Sequence, residues 1–157
     1  MKENRECYQN RELSWLLFNE RVLNEAANPR VPLMERLQFV SIYQTNLDEF
    51  FMVRVGTLMQ QMENKKTVKD NKTGLSSKEQ IKLILKEVER LEQKRKEIYT
   101  QLMGELEPVG IHIINFQKLS KQEQSQLEAY FAKAIRPYLS PMIVGKQQPF
   151  PFLQNSE

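Results

Sequence analysis

This chain of 157 residues holds one cysteine, Cys7, and one histidine, His112. A lone cysteine closes no internal disulfide, and with no further Cys or His at ligand spacing beside it neither an oxidised scaffold nor a zinc site is indicated. No apolar run approaches the ~20 residues needed to cross a bilayer. The N-terminus Met1-Lys2-Glu3-Asn4-Arg5-Glu6 lacks the apolar core of a signal peptide, so the chain reads as soluble and cytoplasmic. Charge of one sign is also scarce: 23 Lys and Arg against 20 Asp and Glu leave +3, spread along the chain rather than gathered in a block, which does not argue for nucleic acid. There is no Gly-rich loop ending in Lys-Ser or Lys-Thr, and no acidic pair is flanked by a general base. The length permits one domain and little more.

What is present is helical periodicity. Trp15, Phe18, Val22 and Ala26 recur three or four apart, with Leu16, Leu23 and Ala27 beside them, and Ser14 is placed to cap this first helix. Pro32 opens a second helix carrying Leu33, Leu37, Val40 and Tyr43 on the side facing the first. A polar break at Gln44-Thr45-Asn46 precedes Leu47, Phe50, Phe51, Val55, Leu58, Met59 and Met62, so either two helices meet at a bend or one long helix is distorted there. Asn46 with Glu49 fits a capping pair, which puts Asn46 near a helix start. Residues 63–77 hold almost nothing that can be buried and read as a mobile surface loop.

Ser76 and Glu79 form a capping box before a long amphipathic helix with Ile81, Ile84, Leu85, Val88, Leu91, Ile98, Leu102 and Leu106. It is expected to close an antiparallel bundle over residues 1–107. A self-associating coiled coil is the competing reading of the same spacing, although consecutive Lys94, Arg95 and Lys96 break the heptad. After Pro108 and Gly110 the pattern changes: Ile111-His112-Ile113-Ile114 reads as a strand, Ser120 and Glu123 cap a helix through Leu127, Phe131 and Ile135, and Met142-Ile143-Val144 reads as a further strand. Residues 108–157 bury too little to offset their ordering entropy unaided. The fold class expected is mainly α, a helical bundle followed by an incomplete α+β segment.

Asn10-Arg11-Glu12-Leu13-Ser14-Trp15-Leu16, Phe18-Asn19-Glu20-Arg21-Val22-Leu23 and Asn46-Leu47-Asp48-Glu49-Phe50-Phe51-Met52-Val53-Arg54-Val55 form a dense run of motifs between residues 8 and 60. Looser echoes follow in Gly110-Ile111-His112-Ile113 and Pro149-Phe150-Pro151-Phe152. In these segments the chain resembles the opening of a polyphosphate kinase. That resemblance implies a helical N-terminal domain, then a mixed middle domain begun here at residue 108, then two C-terminal domains holding the catalytic centre. It implies reversible transfer of the terminal phosphoryl group between ATP and inorganic polyphosphate, through a phosphohistidine and with Mg2+, by a homo-oligomer.

Within this segment the resemblance assigns one nucleotide contact, Asn46, the Asn of Asn46-Leu47-Asp48-Glu49-Phe50. A carboxamide both donates and accepts, which suits the edge of adenine; spacing alone favours Asn46 as a helix cap instead. Asp48 and Glu49 are read as acids of a first helical turn rather than metal ligands. Trp15 is read as a core anchor, Arg11 and Arg21 as partners of Glu12, Glu20 or Glu25, and Arg54 as either a phosphate-path residue or a snorkelling one. His112 matches no catalytic motif and is read as structural. A phosphohistidine mechanism needs an imidazole, cations and metal-binding carboxylates in one cleft, and this chain offers no such set, so alone it is expected to be inactive. Two functional readings follow: the N-terminal part of a polyphosphate kinase, its aromatic Pro149–Phe152 segment packing on the missing domains, or a non-enzymatic helical module that binds another protein.

Overall fold

A computed structural model describes residues 8–63, 69–145 and 150–151; Cys7 and the ends of the Pro149–Phe152 segment lie outside them. The chain divides into two compact units, Met1–His112 and Ile113–Glu157. The mainly α architecture expected from periodicity is observed. The first unit contains α1 (Arg11–Ala27), α2 (Leu33–Phe50), a π-helical turn (Phe51–Val55), α3 (Gly56–Glu63) and α4 (Ser77–Leu106).

The start of α1 is set by Asn10, whose side-chain oxygen accepts from the backbone N–H groups of Glu12 and Leu13. Ser14, expected as the cap, lies inside the helix, because Asn10 already satisfies the free donors of the first turn. The buried face is also rotated from the expected one: Leu16, Asn19, Leu23 and Ala26 are inside, while Phe18 faces outward. Pro32 stands at the cap of α2. Ser76 and Glu79 make the expected capping box of α4, the Ser76 backbone N–H donating to Glu79 at 2.8 Å.

Pairings across the helices set their directions. Trp15 stacks on Phe50 and Asn19 meets Asn46, so α1 and α2 run antiparallel. Asn10 donates to Gln80 and Glu20 meets Arg90 and Lys94, so α4 runs parallel to α1. The core between them is Leu16, Leu23, Val40, Tyr43, Leu47, Phe50, Ile84, Leu91, Ile98 and Leu102. Positions 84, 91 and 98 of α4, the seam that a coiled coil would use, are thus filled from within the unit.

The polar break at residues 44–46 does not bend the chain. Gln44 donates to Asp48 at 3.0 Å and Asn46 donates to Asn19 at 3.0 Å, so these side chains find partners without displacing the helical backbone. The distortion falls later, at Phe51–Val55, where helical dihedrals continue on both sides and the run proceeds into α3. Part of the segment expected to be a mobile loop is a tight turn. The Asp70 carboxylate accepts from Lys72 and Thr73 backbone N–H groups, Gly74 adopts the left-handed φ of 74°, and Lys69 bridges to Ser76.

In the second unit, α5 (Lys121–Tyr130) is capped by Ser120 and Glu123 as expected and runs on through a π-helical turn to Ile135. The strands expected at 111–114 and 142–144 do not form; among the described residues these segments join no ladder, and Ile113 and Ile143 are 74% and 81% exposed. β-branched residues favour extended backbone, but a strand exists only where another pairs with it. None of the described residues of this unit is buried. Phe116, Leu127, Tyr130, Phe131 and Ile135 line an open groove of about 730 Å³.

The ion pairs of the first unit give a pH-dependent prediction. Glu20 is held at a pKa of about 2, chiefly by its hydrogen bond from Arg90, then by Lys94, with partial burial opposing. A carboxylate depressed on folding stabilises the chain fully above its ordinary pKa near 4.5 and loses that contribution as pH falls towards 2. Because Arg90 is half exposed, the contribution is about 1 kcal/mol at most. The Tm gap between the natural chain and Glu20→Gln is therefore expected to be open at pH 7 and closed by pH 2; a gap that persists at pH 2 would assign the effect to packing.

Candidate functional site

Asn46 lies in the last turn and a half of α2, four residues before Phe50, and its side chain is half-buried at the seam with α1. It is neither at a helix start nor a cap, which removes the capping account of the residue and the idea of free backbone donors beside it. Asp48 and Glu49, expected in a first turn, also sit near the end of α2; Asp48 accepts from Gln44. Among the described residues no group of three or more His, Cys, Asp or Glu converges as a metal site.

Two layers of side chains build the seam. One is aromatic: the rings of Trp15 and Phe50 stack at 4.5 Å and 12°, and Phe51 meets Phe50 edge-on at 6.1 Å. The other, one helical turn along both helices, is amide: Asn19 is fully buried, donates through Nδ2 to the Tyr43 carbonyl at 3.0 Å and accepts from Asn46 Nδ2 at 3.0 Å. Beneath it the Tyr43 ring is fully buried and its hydroxyl donates to Glu92 at 3.5 Å. Burial first, and the Glu92 charge second, push that phenol above its ordinary pKa.

The arrangement leaves Asn46 presenting an oxygen. Its Oδ1 accepts from no described residue, and among the described residues no buried side-chain polar atom lacks a partner, so this oxygen is not shut away from solvent. A primary amide held in that way, beside an aromatic pair, can read the edge of a planar ligand. It has no group with which to break a bond.

The other residues singled out by sequence are dispersed. Trp15 anchors the aromatic layer as expected. Arg21 lies over the Phe18 ring at 5.6 Å and Glu20 pairs with α4, so the expected partnership of Arg11 or Arg21 with Glu20 is replaced by Arg90 and Lys94. Arg54 is half-buried in the π-helical turn and makes no ion pair among the described residues. His112 is exposed. Asn19 was not among the candidates, although one signal was available: it is the polar residue at the register of Leu16, Leu23 and Ala26.

Fold and site together define a helical domain that offers a polar contact from its α1–α2 seam. Residues 8–114 match the family described as the polyphosphate kinase N-terminal domain, and the chain belongs to the polyphosphate kinase family. It is 46% identical over 149 residues to a polyphosphate kinase of Halalkalibacterium halodurans, 43% over 149 residues to one of Bacillus anthracis, and 42% over 153 residues to polyphosphate kinase 1 of Chlorobaculum tepidum. Each of these alignments covers 94% of this chain and 21% of the relative, so the chain spans about a fifth of the length of the curated relatives it matches.

Proposed function

We propose that this chain is the nucleotide-contacting N-terminal portion of a polyphosphate kinase that transfers the terminal phosphoryl group of ATP reversibly to inorganic polyphosphate through a phosphohistidine. In this reading residues 1–107 form the helical domain, residues 108–157 begin the middle domain, and the histidine nucleophile and the Mg2+ ligands lie in the C-terminal domains of a cytoplasmic homo-oligomer. The described residues bring no metal-ligand set together, and no step is assigned to Mg2+ on this chain. Its part is binding: Asn46 pairs with the adenine edge, and exposed apolar side chains such as Ile113, Ile114, Tyr138 and Ile143 pack on the domains that follow.

The observation that carries the reading is the Asn46 amide, fixed by a hydrogen bond to a buried side chain with its oxygen left open to a ligand. A well-placed amide pairing with a base is worth about 1–3 kcal/mol, and 1.4 kcal/mol is tenfold in affinity. In the full-length enzyme, Asn46→Ala is therefore expected to raise KM for ATP about tenfold, with a smaller effect on kcat, in steady-state polyphosphate synthesis. An unchanged KM would return Asn46 to a purely structural role.

A further inference from the structure

A fully buried primary amide is a costly side chain to place between two helices unless both its ends are used. Those of Asn19 are. The group it donates to, the Tyr43 carbonyl, can only accept, so the Asn19 side chain cannot be turned round without setting oxygen against oxygen. That choice passes along the chain of bonds. The end of Asn19 facing Asn46 is then Oδ1, and only the Nδ2 end of Asn46 satisfies it.

Asn46 is thus held with its oxygen outward and one N–H in use, by a side chain that no ligand can touch. An outward amide oxygen needs a donor. On its Watson–Crick edge adenine presents the N6 amine beside the N1 acceptor, which an Asn amide pairs with at both ends, whereas a 6-oxopurine presents the reverse, the O6 acceptor beside N1–H. With the amide free to rotate, either purine would be served.

We propose that Asn19 is the positioning residue that gives this site its preference for 6-aminopurine nucleotides over 6-oxopurine nucleotides, by fixing the orientation of the Asn46 amide. The inference rests on Asn46 being the nucleotide contact.

The test is steady-state kinetics of the full-length enzyme with ATP and inosine triphosphate side by side, for the natural enzyme, Asn46→Ala, Asn19→Ala and Asn19→Ser, the last leaving room for a water to meet the Tyr43 carbonyl. The natural enzyme is expected to favour ATP at least tenfold in kcat/KM, and both Asn19 variants to lower that ratio severalfold or more. A ratio near one in the natural enzyme overturns the proposal, whatever becomes of the variants. If Asn46→Ala raises KM for ATP but folded Asn19 variants keep the natural ratio, Asn19 is merely structural and the contact at Asn46 stands. If Asn46→Ala leaves KM for ATP unchanged, the contact and the positioning role fall together. Should neither Asn19 variant fold, the ratio in Asn46→Ala tests the contact through which Asn19 acts: a retained ratio overturns the proposal, and a lost ratio supports that contact.

Discussion

Leu91→Ala is expected to destabilise the chain by about 3 kcal/mol, and Leu85→Ala, six residues earlier on the same helix, by less than about 0.5 kcal/mol. Leu91 has no exposed surface and stands among Leu23, Tyr43, Leu47 and the other core side chains, so truncation removes apolar contacts and leaves a cavity that rigid neighbours fill only in part. Leu85 is 51% exposed, and the better helix propensity of alanine offsets what little contact it loses. Urea denaturation checks the pair, with unchanged slopes and a shifted midpoint for Leu91→Ala alone. The midpoint is also expected to be independent of protein concentration, because α1 and α2 fill the seam that a coiled-coil partner would need. Equal losses at the two positions, or a midpoint that moves with concentration, would move the seam of α4 from the interior of this unit to an interface between copies.

Apolar spacing was sufficient to find the helices because each buries a continuous stripe, and spacing reports stripes directly. It was insufficient at three kinds of place. Ser14 and the Asn46–Glu49 pair have the composition of caps, but a cap is defined by a backbone that has nowhere else to bond, and composition does not carry that information. Gln44, Thr45 and Asn46 look like a break because polarity is read as exposure. In the folded chain Gln44 bonds Asp48 and Asn46 bonds Asn19, and the helix runs through. The isoleucines at 111, 113 and 114 have strand character without a pairing partner among the described residues, and no local pattern supplies one.

The site divides in the same way. Asn46 is distinguished by the motif that contains it, since nothing about an isolated Asn at that spacing separates a ligand contact from a structural amide. Asn19 is legible only after the α1–α2 register is known. Its neighbours Leu16, Leu23 and Ala26 identify its face as buried, and a polar residue on a buried face must have partners, but the Tyr43 carbonyl and Asn46 lie 24 and 27 residues away. Arg36 is a second case: an arginine in the apolar register of α2 is easily taken for a snorkelling side chain, yet it is 5% exposed.

Arg36→Ala is expected to cost about 2–3 kcal/mol, more than any other charge removal in the first unit. The guanidinium donates through Nε to the Ala26 carbonyl at 2.8 Å and through Nη1 and Nη2 to the two oxygens of Glu105, at 2.5 and 3.4 Å. Ala26 is fully buried and its carbonyl belongs to the last turn of α1, where no further helical N–H follows to satisfy it. Losing the arginine therefore leaves that acceptor without its donor and empties the space around the side-chain stem. Glu105, by contrast, is partly exposed and can return to water, so Glu105→Gln should change stability little. Arg36→Met separates the two parts of the loss: it refills the space but restores no donor, and is expected to recover roughly half of it. Arg36→Lys should fall between methionine and the natural arginine, since one ammonium on a flexible stem restores a donor but cannot serve the Ala26 carbonyl and both Glu105 oxygens in a fixed fork. Thermal or urea unfolding of the four variants ranks them. If Arg36→Met matched the natural chain, the corner between α1, α2 and α4 would be held by packing alone; if Glu105→Gln cost as much as Arg36→Ala, the ion pair rather than the buried carbonyl would be the dominant tie.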